Sequence, residues 1–325
     1  MPLGHDDEER VTTGSQVVLT VNGARAGTGG VQAEPQRTLG NTNVSVGNPW
    51  LFFAVTYAIT WSFLLFAIVA GVNFQTVEGV VVQLLGLVGP SAAGVGFVYL
   101  VYDERGRADF WHRITQARRI GRRWFLVILL LPVLVTVAAG LLDTLLGGPG
   151  AIWGDAVREF VNDPLAILPA LFFASLPPIL EELGWRGYAL DRLQMNRSAV
   201  TASLLLGVVW AGWHLPLFFI EGSFQREAIG FATPGFWLFM IGIVALSVAF
   251  TWVYNHTSRS ILGIILLHGW VNFTAETIEV ADLFYYGHWV LLAVILTAVW
   301  GAETLTNADE VPRPPVGPDV DRGRN

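Results

Sequence analysis

Cysteine is absent from all 325 residues, which excludes disulfides, thiol nucleophiles and zinc sites built on cysteine. Lysine is absent too, so all 19 basic residues are arginine; that points to a GC-rich genome and says nothing of function. Charge of any kind is scarce, at 14% of residues, where a soluble domain carries about 25%. The chain contains no His-Glu-x-x-His and no Gly-x-Ser-x-Gly, so the zincin helix and the serine-hydrolase elbow are both missing. There is no internal repeat of the kind that marks many transporters. The formal net charge of −7 argues against a nucleic-acid partner.

What fills the chain instead is apolar. Hydrophobic residues make up 53% of it and the mean hydropathy is +0.52. They cluster into runs of roughly 18–25 residues, the length that crosses a bilayer as helix. The expected fold class is therefore all-α: a polytopic integral membrane protein with about eight transmembrane helices enclosing an intramembrane cavity. Its first partner is the lipid bilayer. Residues 1–48 read as a largely disordered extramembrane tail, 49–302 as the membrane-embedded domain, and 303–325 as an acidic, Pro-rich tail. The first ten residues are acidic, so no cleaved signal is expected.

Spans are expected near residues 51–71, 80–102, 124–146, 165–193, 199–220, 236–254, 261–274 and 288–300. Between Asp103 and Arg123 stand seven arginines against three acidic residues. Short loops of this kind stay in the cytoplasm, which places both termini there. Phe110, Trp111, Ile114 and Ile120 give that loop the makings of an interfacial helix. The fourth run holds Pro177-Pro178, which should kink it.

Three polar pieces interrupt the apolar runs, and buried ionisable groups in a membrane are functional hypotheses by default. The first is Glu181-Glu182-x-x-x-Arg186, in which Glu182 and Arg186 are i and i+4 on a helix. That pairing leaves Glu181 without an obvious partner. The second is Trp210-x-x-x-His214, whose aromatic could wall the histidine ring. The third is His268-x-x-x-Asn272. At about 1.5 Å per residue, His214 lies roughly 22 Å from the cytoplasmic start of its helix. Glu181 reaches that depth only if the fourth helix runs on through Arg186 to about Leu193. A continuous, kinked helix is therefore expected, with Asp191, Arg192 and Arg197 at its cytoplasmic end.

Each piece also has a purely structural reading. A Glu–Arg pair can anchor topology, a lone His can pack, and His with Asn can bridge helices. Asp143 and His288 read as near-interface residues and His112 and His256 as loop residues. Glu276, Glu279 and Asp282 read as the solvated outer end of the seventh helix.

In this order, on helices, the pieces resemble the CAAX protease and bacteriocin-processing enzyme family, whose best-known members are the type II CAAX prenyl endopeptidases. The likeness covers about residues 165–275, with Trp210 standing where the family often has Phe. It implies an intramembrane glutamate endopeptidase acting on a membrane-tethered, possibly prenylated CAAX-type, protein or peptide. Glu181 would be the general base for a water, His214 would help hold that water, and His268 and Asn272 would donate to the oxyanion. Glu182, Arg186 and Trp210 would support the site. The chemistry is self-consistent without the likeness: a buried glutamate is a competent base near neutral pH, and an oxyanion needs preorganised donors. Gly184, Gly187 and Gly212 are candidates for making room for water.

No cofactor is expected. Glu181, His214 and His268 would make an alternative zinc set, but an amide is a poor zinc ligand and Arg186 would repel the metal. Two other functions use the same buried groups: a proton- or ion-coupled transporter, and a non-catalytic scaffold or immunity-type protein. Flux in liposomes lost with Glu181→Gln would mark the first; a phenotype retained in that variant would mark the second.

Overall fold

The computed structural model describes residues 47–315, and the expectations for residues 1–46 and 316–325 lie outside it. The chain is almost entirely helical: α1 (Pro49–Ala70), α2 (Val77–Val101), α3 (Glu104–Thr115), α4 (Arg122–Leu145), α5 (Asp155–Asn162), α6 (Ile167–Gly184), α7 (Leu190–Gln194), α8 (Ala199–Trp213), α9 (Pro234–His256), α10 (Ile261–Thr277) and α11 (Asp282–Trp300). Among the described residues, seven helical segments are long and apolar enough to cross a membrane, and α10 is a shorter apolar helix beside them. The protein is an all-α, multi-pass membrane protein.

Helix ends follow local chemistry. Asn48 caps α1, its side chain accepting from the Trp50 amide at 3.0 Å, with Pro49 at the first helical position, where its missing N–H costs nothing. Asp103, Ser198, Thr233 and Ser260 cap α3, α8, α9 and α10 through their side-chain oxygens. The arginine-rich loop does contain the expected helix, α3. His112 lies on it and His256 ends α9, so neither is a loop residue. His256 packs between Trp124 and Trp300.

The outer loop after α4 is more ordered than its composition implies. Asp143, buried, accepts from the Gly150 amide at 2.8 Å. Two residues, Ile152–Trp153, pair antiparallel with Ile278–Glu279. Glu279 therefore lies on a strand rather than on the seventh helix. The described part of the C-terminal segment packs under the bundle: Leu305 is fully buried, and the Glu303 and Ala302 carbonyls accept from the first amides of α8.

The proline pair stays inside α6, and the chain passes through a five-residue π turn, Trp185–Ala189, into α7. The segment Pro164–Gln194 is thus one 31-residue apolar helical unit, as the depth of His214 requires. It crosses α2 at glycines: a Cβ on Gly184 would stand 2.1 Å from the Pro90 carbonyl oxygen, and one on Gly94 would stand 2.6 Å from the Gly184 Cα. Because the obstacle is backbone, Gly184→Ala is expected to force the helices apart and cost about 1–3 kcal/mol. Thermal unfolding in detergent checks this; an unchanged midpoint would contradict the crossing.

Candidate active site

The π turn decides how the carboxylates point. A π bulge widens the helix locally, and such bulges gather at functional sites. Here Glu181 and Glu182 end α6 and Arg186 sits inside the wide turn. Arg186 donates from Nη1 to both Glu182 carboxylate oxygens, at 2.9 and 3.1 Å, and lies 3.4 Å from the Ser247 hydroxyl. Its guanidinium is sandwiched between the Trp210 and Phe250 rings, 4.6 and 4.8 Å from their centroids. Both ions are wholly buried. Aromatic faces contribute to holding the cation where water cannot.

Glu182 has a second partner that its spacing did not announce. His268 of α10 places Nδ1 2.9 Å from Glu182 Oε1. A carboxylate oxygen accepts, so Nδ1–H donates and Nε2 faces away. Glu182 thereby joins α6 to α10, and Arg186 and His268 share one carboxylate.

Glu181 is not unpartnered. Trp210 of α8 donates its indole N–H to Glu181 Oε2 at 2.6 Å. The expected wall for His214 is thus chiefly a hydrogen-bond donor to the neighbouring carboxylate, with its ring 6.0 Å from the His214 ring and 5.2 Å from that of His268. Oε1 of Glu181 makes no hydrogen bond to another described residue, so one oxygen is clamped and the other is open. Trp210→Phe keeps the ring and removes the donor. It is expected to fold and to change turnover by less than about tenfold, the scale of one hydrogen bond. A loss of several orders of magnitude in a cleavage assay would instead place the indole N–H in the reaction itself.

His214 stands where α8 tightens into a 3₁₀ turn. Its Nδ1 lies 2.8 Å from the Trp210 carbonyl, which can only accept, so the neutral ring keeps its lone pair on Nε2. Trp213 and Phe239 close around it, with ring centroids at 4.9 and 5.5 Å. Asn272 is partly exposed and sits farther along α10, where its amide reaches the Ala174 carbonyl at a long 3.4 Å. Its partner carbonyl lies two helical turns before Glu182 on α6, and the contact is a weak one. Among the described residues no three His, Asp or Glu side chains are grouped so as to hold a metal ion.

The three glycines do not open a water space in the expected way. Added Cβ atoms at Gly184 and Gly187 would meet Pro90 and the Phe110 ring, and one at Gly212 would meet the Tyr57 hydroxyl at 2.9 Å. Their smallness admits neighbouring side chains and backbone.

Sequence reasoning missed a second buried charge cluster on the arginine-rich side. Asp191, read as a surfacing helix end, is 1% exposed. Arg113, one of the seven arginines of the first cytoplasmic loop, and Arg259, which falls between the sixth and seventh expected spans, close on it. Burial alone would lower the Arg259 pKa, but Asp191, Tyr254 and Asp109 beside it hold the guanidinium well above its usual value. The available signal was the amphipathic pattern of α3, which puts Arg113 on the same face as Phe110 and Asp109.

Comparison with known proteins gives two matches. The family model described as type II CAAX prenyl endopeptidase Rce1-like matches residues 163–274, which run from the start of the α6 segment through Asn272. A curated relative, CAAX prenyl protease 2 of Methanococcus maripaludis, is 29% identical over 247 residues, covering 72% of this chain and 86% of the relative. The matched region contains Glu181, Glu182, Arg186, Trp210, His214, His268 and Asn272. By both comparisons the chain is similar to the Rce1-like type II CAAX prenyl endopeptidases.

Proposed function

We propose that this protein is an intramembrane endopeptidase that hydrolyses a peptide bond of a membrane-tethered protein or peptide using a glutamate-activated water. The observation that carries the reading is the convergence of two adjacent carboxylates on two other helices: Glu181 on Trp210 of α8, and Glu182 on His268 of α10. Three apolar helices rarely spend polar groups on one another without function.

In this reading a water sits between the open oxygen of Glu181 and the Nε2 lone pair of His214. Its oxygen attacks the scissile carbonyl carbon while Glu181 takes the proton. The carbonyl π electrons move to oxygen, and the resulting oxyanion is met by donors from His268 and Asn272. Donation from Nε2 of His268 requires the doubly protonated ring, since Nδ1 is committed to Glu182, and the Glu182 carboxylate pairs with it. Collapse of the intermediate breaks the C–N bond, and the proton held by Glu181 passes to the departing amine. Each preorganised donor contributes about 3–4 kcal/mol to such a transition state where removal has been measured. Arg186 fixes the Glu182 carboxylate through both of its oxygens and leaves Oε1 within reach of His268.

The name of the archaeal relative makes C-terminal processing of a prenylated protein the substrate class to test first. The arginine-rich α3–α4 side and both termini are assigned to the cytoplasm by the positive-inside rule. Membranes carrying the active protein and its Glu181→Gln variant can be compared by proteomics; an accumulated precursor in the variant names the substrate. Identical proteomes, with no cleavage by purified protein, would refute the reading. The reaction is expected to proceed without a metal, so exhaustive chelation should leave turnover unchanged. Loss of activity restored only by zinc would overturn that.

A further inference from the structure

The densest charge in the interior is not in the active site. Arg113 of α3 and Arg259 of the α9–α10 turn close on Asp191 of α7, with Asp109 completing the set. Arg113 lies 3.0 Å from Asp191 and 3.1 Å from Asp109; Arg259 pairs with Asp191 through two nitrogens and with Asp109 at 3.0 Å. Arg119, partly exposed, also reaches Asp109 at 3.2 Å, and a buried ion cluster of this kind is usually no more stabilising than apolar packing of the same volume. Stability alone gives no reason for it.

Its hydrogen bonds do. Two donors leave the cluster and end on the backbone of the π turn. Arg113 donates from Nη2 to the Gly187 carbonyl at 3.0 Å. The Tyr254 hydroxyl accepts from Arg113 Nη1 at 2.6 Å and shares its one proton between the Arg186 carbonyl, at 3.0 Å, and Asp191, at 2.8 Å. In the wide turn the Leu190 amide reaches back to the Trp185 carbonyl, an i→i−5 step. The change back to i→i−4 must leave a carbonyl without a partner in the ladder. The next two carbonyls along the chain are those of Arg186 and Gly187. A buried carbonyl left unpaired is costly, so the cluster supplies from outside what the π turn forfeits.

Arg259 is itself held at φ +61°, a left-handed conformation that a non-glycine residue keeps only where its surroundings fix it. The cluster thus ties the amphipathic helix α3 and the α9–α10 turn to the one distorted turn of the active-site helix.

We propose that Arg113 and Tyr254 are positioning residues, which hold the π turn open so that Arg186 meets Glu182 and the two glutamates keep their separate partners. This rests on the peptidase reading above. Closing the turn to regular α-helix would rotate Arg186 by a large part of a residue step, taking it off Glu182 and loosening the Glu182–His268 contact.

The test is steady-state cleavage by full-length Tyr254→Phe and Arg113→Gln in detergent micelles, with hydrogen exchange of the 181–194 segment measured on the same samples. Tyr254→Phe keeps the ring and removes only the hydroxyl, so it decides the matter if Arg113→Gln does not fold. The expected result is kcat lower by about tenfold per hydrogen bond removed, KM nearly unchanged, and faster exchange confined to that segment. Unchanged kcat per folded molecule, with or without faster exchange, would reduce the cluster to a structural role and overturn the proposal. An inactive wild type would instead remove the peptidase reading, and the catalytic meaning of the cluster with it.

Discussion

Glu181→Gln is expected to lower turnover by about 10²–10⁴-fold, the range that a positioned general base supplies, with yield and thermal stability unchanged. The substitution is nearly isosteric. Its amide oxygen can still accept from the Trp210 indole, which now lies 2.6 Å from Glu181 Oε2, so the packing of α6 on α8 survives. What is lost is the ability to take a proton from water. The measurement is single-turnover cleavage of a membrane-tethered peptide by purified protein, with the unfolding midpoint as control. Turnover equal to wild type would sink the assignment of Glu181. An equal loss in Glu182→Gln, accompanied by lowered stability, would be consistent with the division of labour, because Glu182 is the shared hydrogen-bond partner of buried Arg186 and His268.

The largest effect on stability is expected from Asp191→Ala. That change leaves Arg113, whose side chain is fully buried, and Arg259, 5% exposed, without their common counter-ion. Breaking a buried pair by removing one partner costs about 3–5 kcal/mol, because the surviving charge has neither water nor partner. Here two cations survive, and Asp109, which Arg119 also engages, is left to balance them. Thermal unfolding or protease resistance in detergent reads the effect. A variant as stable as wild type would mean that water reaches the cluster. Exposed arginines such as Arg118 and Arg122 offer the control: their replacement by Gln should change stability by no more than about 0.5 kcal/mol.

Much of this molecule is legible in its sequence. The spans were readable because a bilayer admits only helices or closed barrels, so apolar length translates directly into topology. The Glu182–Arg186 pair followed from i,i+4 spacing alone. The length of the fourth helical segment followed from matching the depths of Glu181 and His214. Contacts between helices were less accessible. Trp210 looked like a companion of His214 because both lie on one helix, and spacing along a helix reports only neighbours on that helix. Its actual partner, Glu181, comes from another. Arg113, Asp191 and Arg259 were misread for the same reason: each is near a helix end, where charge is usually solvated. The docking of α3 against α7 and the α9–α10 turn is what buries them.

The sequence by itself determined that this is a helical membrane protein and which few polar residues lie at depth in it. Hydropathy, capping and helical spacing are local properties, and the chain states them residue by residue. Only the tertiary structure decided which polar group meets which. A π turn at residues 185–189 sets the direction of Arg186, the crossing of α6 with α8 and α10 gives each glutamate its own partner, and a buried ion cluster meets the carbonyls of that turn. Those choices depend on helix rotation and crossing geometry, where a shift of one residue turns a side chain by about 100°, and no single segment contains that information.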